Sequence, residues 1–173
     1  MTTVFVDVDT QLDFLLPAGA LYVPGAEHII GTVARLNRFA VAQGIPLIST
    51  MDAHAQNDPE FRAWPAHCVA GTLGQRKPAE TVVAGQIFLE KVTVDAFSNP
   101  RMAELIRELG AQKAVVYGVV TEICVRNAAL GLRRLGLDVE LLTDAVKELS
   151  AVQRDAFYAD FVAGGGSLGT SVK

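Results

Sequence analysis

The sequence contains few of the groups that crosslink a chain or bind polyanions. Its 173 residues include only two cysteines, and 15 Lys and Arg against 19 Asp and Glu give a net charge of -4. Two cysteines cannot form a disulfide framework, and an acidic chain lacks the basic face that duplex nucleic acids require. We therefore expect no nucleic-acid partner and a reducing, cytoplasmic location.

Long apolar runs and the features of a secretory leader are also missing. The first apolar run is interrupted by Asp7 and Asp9, and no stretch reaches the roughly 18 apolar residues of a membrane span. Adjacent basic pairs are too few for a membrane-binding patch; they are Arg76-Lys77 and Arg133-Arg134. We expect no membrane partner.

The chain is rich in apolar residues, which make up 50% of it, while 20% are charged. Short β-branched runs alternate with longer segments of helical periodicity, a pattern typical of β-α-β units. Strands are predicted at residues 4–8, 45–50, 86–92, 113–119, 139–143 and 167–172, and helices at 26–43, 100–109, 123–135 and 153–162. We predict one domain over residues 1–173, a three-layer α/β/α sandwich with a mostly parallel, doubly wound sheet of about six strands.

Polar residues follow several of these predicted strands. Asp9 follows the first, Asp52 and His54 follow the second, Lys91 lies at the third, and Cys124 follows the fourth. Ligands of such sheets bind beyond the carboxyl ends of the strands, near the point where strand order reverses. We therefore expect these five side chains to converge on one edge of the sheet.

Cys124 is a candidate nucleophile. It lies between a predicted strand and a predicted helix, in Gly118-Val119-Val120-Thr121-Glu122-Ile123-Cys124. In the first turn of a helix, the dipole and the free N–H groups favour a thiolate and can hold an oxyanion. The alternative is a buried cysteine that only packs against its neighbours.

Asp9 and Lys91 are candidate acid–base partners of that cysteine. A carboxylate at a strand end can also cap a helix or anchor a loop, and a lysine among apolar residues can extend its charged end to solvent. If Lys91 lies beside Asp9 and Cys124, its positive charge should lower the pKa of both groups.

Asp52, His54 and His67 are candidate metal ligands, and all lie in the long segment 51–85, which has no predicted helix or strand. One carboxylate and two imidazoles suit a divalent transition metal with open coordination positions. A polar surface loop is the alternative, and we interpret Cys68 as a packing residue. Residues 164–169 match G-x-G-x-x-G, but they follow a predicted helix rather than a strand, so we expect no dinucleotide there.

Five segments, in collinear order from about residue 4 to about residue 146, resemble the isochorismatase-like cysteine hydrolases, and within them the nicotinamidase/pyrazinamidase branch. The segments are Asp9-Thr10-Gln11-Leu12-Asp13-Phe14 (D-x-Q-x-D-F), Asp52-Ala53-His54 (D-x-H), residues 64–74 (W-P-x-H-C-V-x-G-T-x-G), Lys91, and residues 118–124 with the nucleophile.

The resemblance implies a catalytic triad of Asp9, Lys91 and Cys124. It also implies a cis peptide bond between Val119 and Val120, with the N–H groups of Val120 and Cys124 forming an oxyanion hole.

The resemblance further implies that Phe14 and Trp64 enclose the substrate ring and that Asp52, His54 and His67 bind a divalent metal. Zinc is expected, with iron or manganese as alternatives, and no organic cofactor. The family commonly has a further histidine after D-x-H; residues 55–60 contain none, and Asp58 or Glu60 are the candidates to replace it.

The function implied is metal-assisted hydrolysis of a small neutral amide, nicotinamide to nicotinate and ammonia, through a thioester. One alternative is a sibling enzyme acting on another small amide, a carbamoyl or a ureido compound. A second alternative is a non-catalytic binding module on the same fold. The resemblance also implies a homo-oligomer.

Overall fold

The computed structural model describes residues 1–171. Its six strands are β1 (Thr3–Val8), β2 (Leu47–Asp52), β3 (Ile87–Lys91), β4 (Lys113–Val119), β5 (Asp138–Lys147) and β6 (Ser167–Gly169). They form one sheet in the order β3-β2-β1-β4-β5-β6, and every pairing is parallel. This confirms the predicted α/β fold. The predicted end of the last strand, residue 172, lies outside the described residues.

The helices are α1 (Leu12–Leu15), α2 (Ile30–Ala42), α3 (Pro100–Glu108), α4 (Arg126–Arg134) and α5 (Ala151–Ala163). Strand order runs outward from β1 to β3, returns to β4 and continues to β6, so right-handed crossovers place α2 on one face and α3, α4 and α5 on the other. The strand order reverses between β1 and β4. Within residues 1–171, no helix is both long and apolar enough to span a membrane.

The central strands β1 and β4 are buried on both faces. Val4, Val6 and Val8 are fully inaccessible to solvent. A strand covered on both faces reads as a nearly continuous apolar run, which is why residues 4–8 could be recognised from the sequence. Burial of these strands fixes the position of the residues that follow them.

One glycine allows the closest approach between the two central strands. Gly118 in β4 pairs with Val8 in β1 and has φ of 120°. A side chain at this position would collide with the Val8 carbonyl group. The main chains can therefore lie close together immediately before Asp9 and the segment that carries Cys124.

Strand β5 is longer than predicted, ending at Lys147 rather than at residue 143. The pairing between β4 and β5 shifts register between Val116 and Gly118, so that Gly118 is opposite Val146. A bulge accommodates the additional residues of β5 and allows pairing to resume beyond them. The periodicity of the sequence is interrupted at this bulge, which is why the prediction ended early.

Candidate active site

The side chains predicted at the strand ends converge around the ammonium group of Lys91. Its Nζ lies 2.8 Å from Asp9 Oδ2, 2.5 Å from Asp52 Oδ1 and 3.9 Å from Cys124 Sγ. It also donates a hydrogen bond of 2.9 Å to the Thr93 carbonyl oxygen. Four strand ends thus supply one cluster that holds a cation, two carboxylates and a thiol.

Lys91 does not reach solvent, because its side chain is fully buried. Burial by itself would lower its pKa, but the charges of the carboxylates Asp9 and Asp52 raise the pKa of Lys91 well above its ordinary value. The ammonium group therefore stays charged at neutral pH. This burial answers the alternative in which the lysine extends along the surface.

Asp9 lies just after β1 ends at Val8, and its φ of 50° turns the chain out of the strand. Its Oδ1 accepts a hydrogen bond of 2.7 Å from Thr50 Oγ1. Apart from the ion pair with Lys91, Oδ2 has no hydrogen-bond partner within residues 1–171. Oδ2 is therefore available to accept a proton.

The charge of Lys91 lowers the pKa of both its neighbours, as predicted, but burial outweighs that effect and both pKa values lie above their ordinary range. Burial raises the pKa of Asp9, and the opposing charge of Lys91 does not cancel that effect. Burial likewise raises the pKa of Cys124 well above its ordinary value, and the negative charges of Asp9 and Asp52 raise it further. The positive charge of Lys91 lowers this pKa, but by less than the other effects together raise it. The resting nucleophile is a thiol, so its activation requires a proton acceptor.

The segment that carries Cys124 is a π-helical turn, Thr121–Val125, rather than the first turn of an α-helix. The Val119–Val120 peptide bond that precedes it is cis. Val120 and Cys124 line one cleft, which Phe14 and Trp64 also border, and each of the two is only 7% exposed. The structure thus places a cis peptide bond directly before the turn that carries Cys124, and both Val120 and Cys124 border this cleft.

Asp52, His54 and His67 form a buried group with the geometry of a metal site. Asp52 Oδ2 lies 3.7 Å from Nε2 of each histidine. Ligand atoms bound tetrahedrally to zinc at about 2.1 Å lie about 3.4 Å apart. Nε2 of His54 is buried without a hydrogen-bond partner in the described part of the chain, a costly arrangement that a bound cation would relieve. The donor set fits a divalent ion.

Neighbouring groups orient the two imidazoles. His67 Nδ1 lies 2.7 Å from the Pro65 carbonyl oxygen, which directs Nε2 towards Asp52. His54 Nδ1 lies 3.1 Å from Asp58 Oδ2. Asp58 thus supports His54 through Nδ1, and Glu60, which lines the cleft, is the other candidate to replace the missing histidine.

Asp52 connects the metal group to the cysteine. Burial alone would raise its pKa, but the imidazoles of His54 and His67, each 3.7 Å away, and the charge of Lys91 hold the pKa of Asp52 below its usual range. One carboxylate oxygen faces Lys91 and the other faces the histidines. The two centres therefore share one anion.

The cleft above Cys124 is mainly apolar and narrow, with a cavity volume of about 30 Å³. The Phe14 ring lies 5.4 Å from the His67 ring, and Trp64 lines the same cleft. Its lining residues are Phe14, Leu21, Val23, Asp52, Glu60, Trp64, His67, Val94, Val120, Ile123, Cys124 and Leu149. Both residues predicted to enclose a ring thus line the same cleft as Cys124.

Gln11 belongs to the recognised D-x-Q motif, but the sequence reasoning assigned it no role. Its Nε2 donates hydrogen bonds of 2.8 Å to the carbonyl oxygens of Asp52 and Gln75, and its Oε1 accepts one of 2.7 Å from the Asp52 N–H. Thr50, which holds Asp9, was also missed. A hydroxyl at the end of the strand beside β1 was the available signal for it.

Comparisons with known proteins show the family to which the chain belongs. An isochorismatase domain matches residues 3–171. The nicotinamidase of Escherichia coli (strain K12) is 25% identical over 88% of this chain and 86% of its own length. The crystal structure of the pyrazinamidase of Pyrococcus horikoshii in complex with zinc is 29% identical, has a TM-score of 0.93, and the match covers 99% of this chain and 100% of that one.

The N-carbamoylsarcosine amidase of Thermoplasma acidophilum has the same fold. Its crystal structure is 26% identical, with a TM-score of 0.88 over 100% of this chain and 98% of that one. The similarity thus extends to enzymes that act on different small amides. The chain belongs to the isochorismatase family and is a hydrolase of carbon–nitrogen bonds other than peptide bonds.

Proposed function

We propose that the protein is a metal-assisted nicotinamidase, which hydrolyses nicotinamide to nicotinate and ammonia through a thioester on Cys124. The observation that carries this proposal is the cluster of Asp9, Lys91 and Cys124 at the base of an apolar cleft. Neither a surface lysine nor a packing cysteine would account for a buried ammonium group placed between a thiol and a carboxylate.

Asp9 acts as the base in the first half of the reaction. Its free Oδ2 takes the proton of the Cys124 thiol, and the sulfur attacks the carboxamide carbon. The N–H groups of Val120 and Cys124 hold the resulting oxyanion. Asp9 then transfers its proton to the nitrogen, the carbon–nitrogen bond breaks, and ammonia leaves.

The second half returns the enzyme to its resting state. Asp9 takes a proton from a water molecule, whose oxygen attacks the thioester carbon. Nicotinic acid leaves as the carbon–sulfur bond breaks, and the sulfur recovers its proton. Lys91 remains charged throughout, and it holds Asp9 and stabilises negative charge at the sulfur.

Asp52, His54 and His67 would hold the metal, and we propose zinc because the Pyrococcus horikoshii pyrazinamidase is described with zinc. When bound, the ion supplies a positive centre at the cleft wall that attracts the ring nitrogen of the substrate. Phe14 and Trp64 pack on the faces of the ring and orient its carboxamide towards Cys124.

The cleft favours an uncharged substrate over a carbamoyl amino acid. Among the described residues that line it, none is Lys or Arg. An N-carbamoyl amino acid carries a carboxylate that requires a cationic partner when buried, and the proposed metal at the cleft wall is already assigned to the ring nitrogen. The structural similarity to an N-carbamoylsarcosine amidase nevertheless makes that class the second candidate.

Ammonia release from a panel of amides tests the proposal. With zinc supplied, wild-type protein should hydrolyse nicotinamide and pyrazinamide faster than N-carbamoylsarcosine. Replacing the nucleophile in Cys124→Ala should lower kcat by at least about 10⁴-fold. Cys68→Ala is the matched control, because Cys68 is buried outside the reacting cluster, and it should retain kcat within about threefold.

Three results would contradict this proposal. Wild-type protein that releases no ammonia from nicotinamide would exclude the substrate. Equal activity in Cys124→Ala and wild type would exclude the nucleophile. Inactivity on the whole panel would favour the binding module.

A further inference from the structure

A second buried ion pair lies beside the active site and takes no part in the proposed chemistry. Lys77 Nζ lies 3.2 Å from Asp7 Oδ2, and both side chains are at most 1% exposed. Asn37 and Ser49 donate hydrogen bonds to the same carboxylate oxygen, each of 3.2 Å. Asp7 lies two residues before Asp9, on β1.

Thr10 connects this ion pair to the turn that carries Asp9. Its hydroxyl group donates a hydrogen bond of 2.6 Å to Asp7 Oδ1 and accepts one of 2.9 Å from Lys77 Nζ. Thr10 directly follows Asp9, whose φ of 50° is costly for a residue with a side chain. The ion pair therefore holds Thr10 through two hydrogen bonds, directly after the strained residue Asp9.

Residues 74–77, which we name the strap, run along residues 10–13. The Asp13 N–H donates to the Gly74 carbonyl oxygen at 3.0 Å, and the Leu12 N–H donates to that of Arg76 at 2.8 Å. The Gln11 side chain donates to the carbonyl oxygen of Gln75 at 2.8 Å. Lys77 ends the strap, and its side chain is the strap's contact with Thr10.

The strap also belongs to the segment that supplies a metal ligand. Cys68, next to His67, donates its N–H to Asp13 Oδ2 at 2.7 Å. The His54 N–H donates to the Cys68 carbonyl oxygen at 3.1 Å. The turn at Asp9 and the loop that carries the histidines are therefore joined through residues 10–13.

A role in stability alone gives little reason for an ionic pair at this place. Burying two charges costs several kcal/mol, and apolar residues of similar size often stabilise a protein equally well. A directional network, in contrast, fixes geometry, because each hydrogen bond restricts its donor and acceptor. The Asp7–Lys77 network ends on Thr10, beside the residue whose position the reaction requires.

We propose that Lys77 and Asp7 are positioning residues, which act through Thr10 to hold Asp9 in its strained turn and in reach of the Cys124 thiol. The inference rests on the proposed function, since it gives Asp9 the role of proton acceptor. The network is not a catalytic group: its contacts to the reacting cluster pass through the main chain of residues 9 and 10.

The decisive variant replaces both charges by apolar residues of similar size, Asp7→Leu/Lys77→Met. Asn37 keeps the Tyr117 hydroxyl group and the Thr81 carbonyl oxygen as partners, and Ser49 keeps Gln86. The double variant should therefore fold, with a Tm lowered by a few degrees because the buried Thr10 hydroxyl group loses both its partners. Its kcat for nicotinamide should fall about tenfold or more, because small displacements of a reacting group are expensive.

KM in the double variant should stay within about threefold of the wild-type value, because Phe14 keeps its own main-chain contact with Val23. The matched control is Lys113→Met. Lys113 lies at the start of β4, far from the strand ends that carry the site, and its replacement removes the ion pair with Glu140. This control should keep the wild-type kcat.

A merely structural network predicts a different result: a folded double variant would have the kcat of the wild type, and that result would overturn the inference. If the double variant does not fold, Thr10→Val decides by the same criterion, because it removes only the hydroxyl group that links the pair to the turn.

Wild-type protein inactive on nicotinamide would contradict the proposed function instead. In that case, the rate at which iodoacetamide alkylates Cys124 tests the inference in a Cys68→Ala background: a change of at least about threefold in the double variant supports it, and an unchanged rate overturns it.

Discussion

Asp7 and Asp9 are two buried carboxylates on the same strand end, and each forms an ion pair with a buried lysine. Asp7 is saturated, with donors from Thr10, Asn37, Ser49 and Lys77. Asp9 has fewer donors among the described residues: Lys91 at Oδ2 and Thr50 at Oδ1. A saturated carboxylate can fix geometry but has no free position for a proton, whereas an unsaturated one can exchange a proton with a neighbour.

Removing each carboxylate charge separately is the strongest test of this difference. Asp9→Asn should lower kcat about 10³-fold, because the amide cannot accept the thiol proton. Asp7→Asn should lower kcat by about tenfold or less and mainly lower the Tm, because it leaves Lys77 without its counter-ion in the core. Steady-state kinetics and thermal unfolding of both variants measure the two effects. Equal losses of kcat would erase the distinction between the two carboxylates.

The protonation state of Cys124, which we propose as the proton donor to Asp9, gives a second test of the role of that carboxylate. Because burial raises the pKa of the thiol, its alkylation rate in a Cys68→Ala background should rise about tenfold per pH unit from pH 7 to pH 9, without a plateau. Lys91→Met should slow the reaction at each pH, since the lysine charge is what lowers that pKa. A plateau near pH 7 would instead show a resting thiolate and remove the need for Asp9 as a base.

Metal binding should give the smallest effect, a shift of a few degrees in Tm. An ion bound only to the folded state at 100 times its Kd stabilises it by about 2.7 kcal/mol. Zinc should therefore raise the Tm of the wild type, and His54→Ala should lose that rise together with the zinc found by elemental analysis. His28→Ala, at an exposed histidine, is the control and should respond as the wild type does. An unchanged zinc response in His54→Ala would exclude this residue as a ligand.

The fold and the location of the site could be predicted because parallel strands bring their carboxyl ends to one edge of the sheet. Asp9, Asp52, Lys91 and Cys124 each follow or end a strong apolar run, so their convergence follows from the order of the strands. The family and the parallel sheet are confirmed. The catalytic and metal-binding roles of individual residues stay predictions until the variants are measured.

Two features could not be read from local sequence. The sequence indicates that Arg76 and Lys77 are both exposed. Arg76 is exposed, but Lys77 is buried against Asp7. The partner of Lys77 lies 70 residues away in sequence, and no periodicity indicates that pairing. The raised pKa of Cys124 was also missed, because the balance between burial and nearby charges depends on the folded arrangement.

The divided carboxylate of Asp52 has a consequence for any enzyme prepared without metal. One of its oxygens faces Lys91 and the other faces the two histidines, so an ion bound on the histidine side draws electron density away from the lysine side. Thermodynamic linkage is reciprocal: if the ion changes the proton affinity of the cysteine cluster, protons in that cluster change the affinity for the ion by the same factor. If zinc binds there as we propose, we expect the Cys124 thiol of the metal-free protein to react at a different rate from that of the zinc-loaded protein.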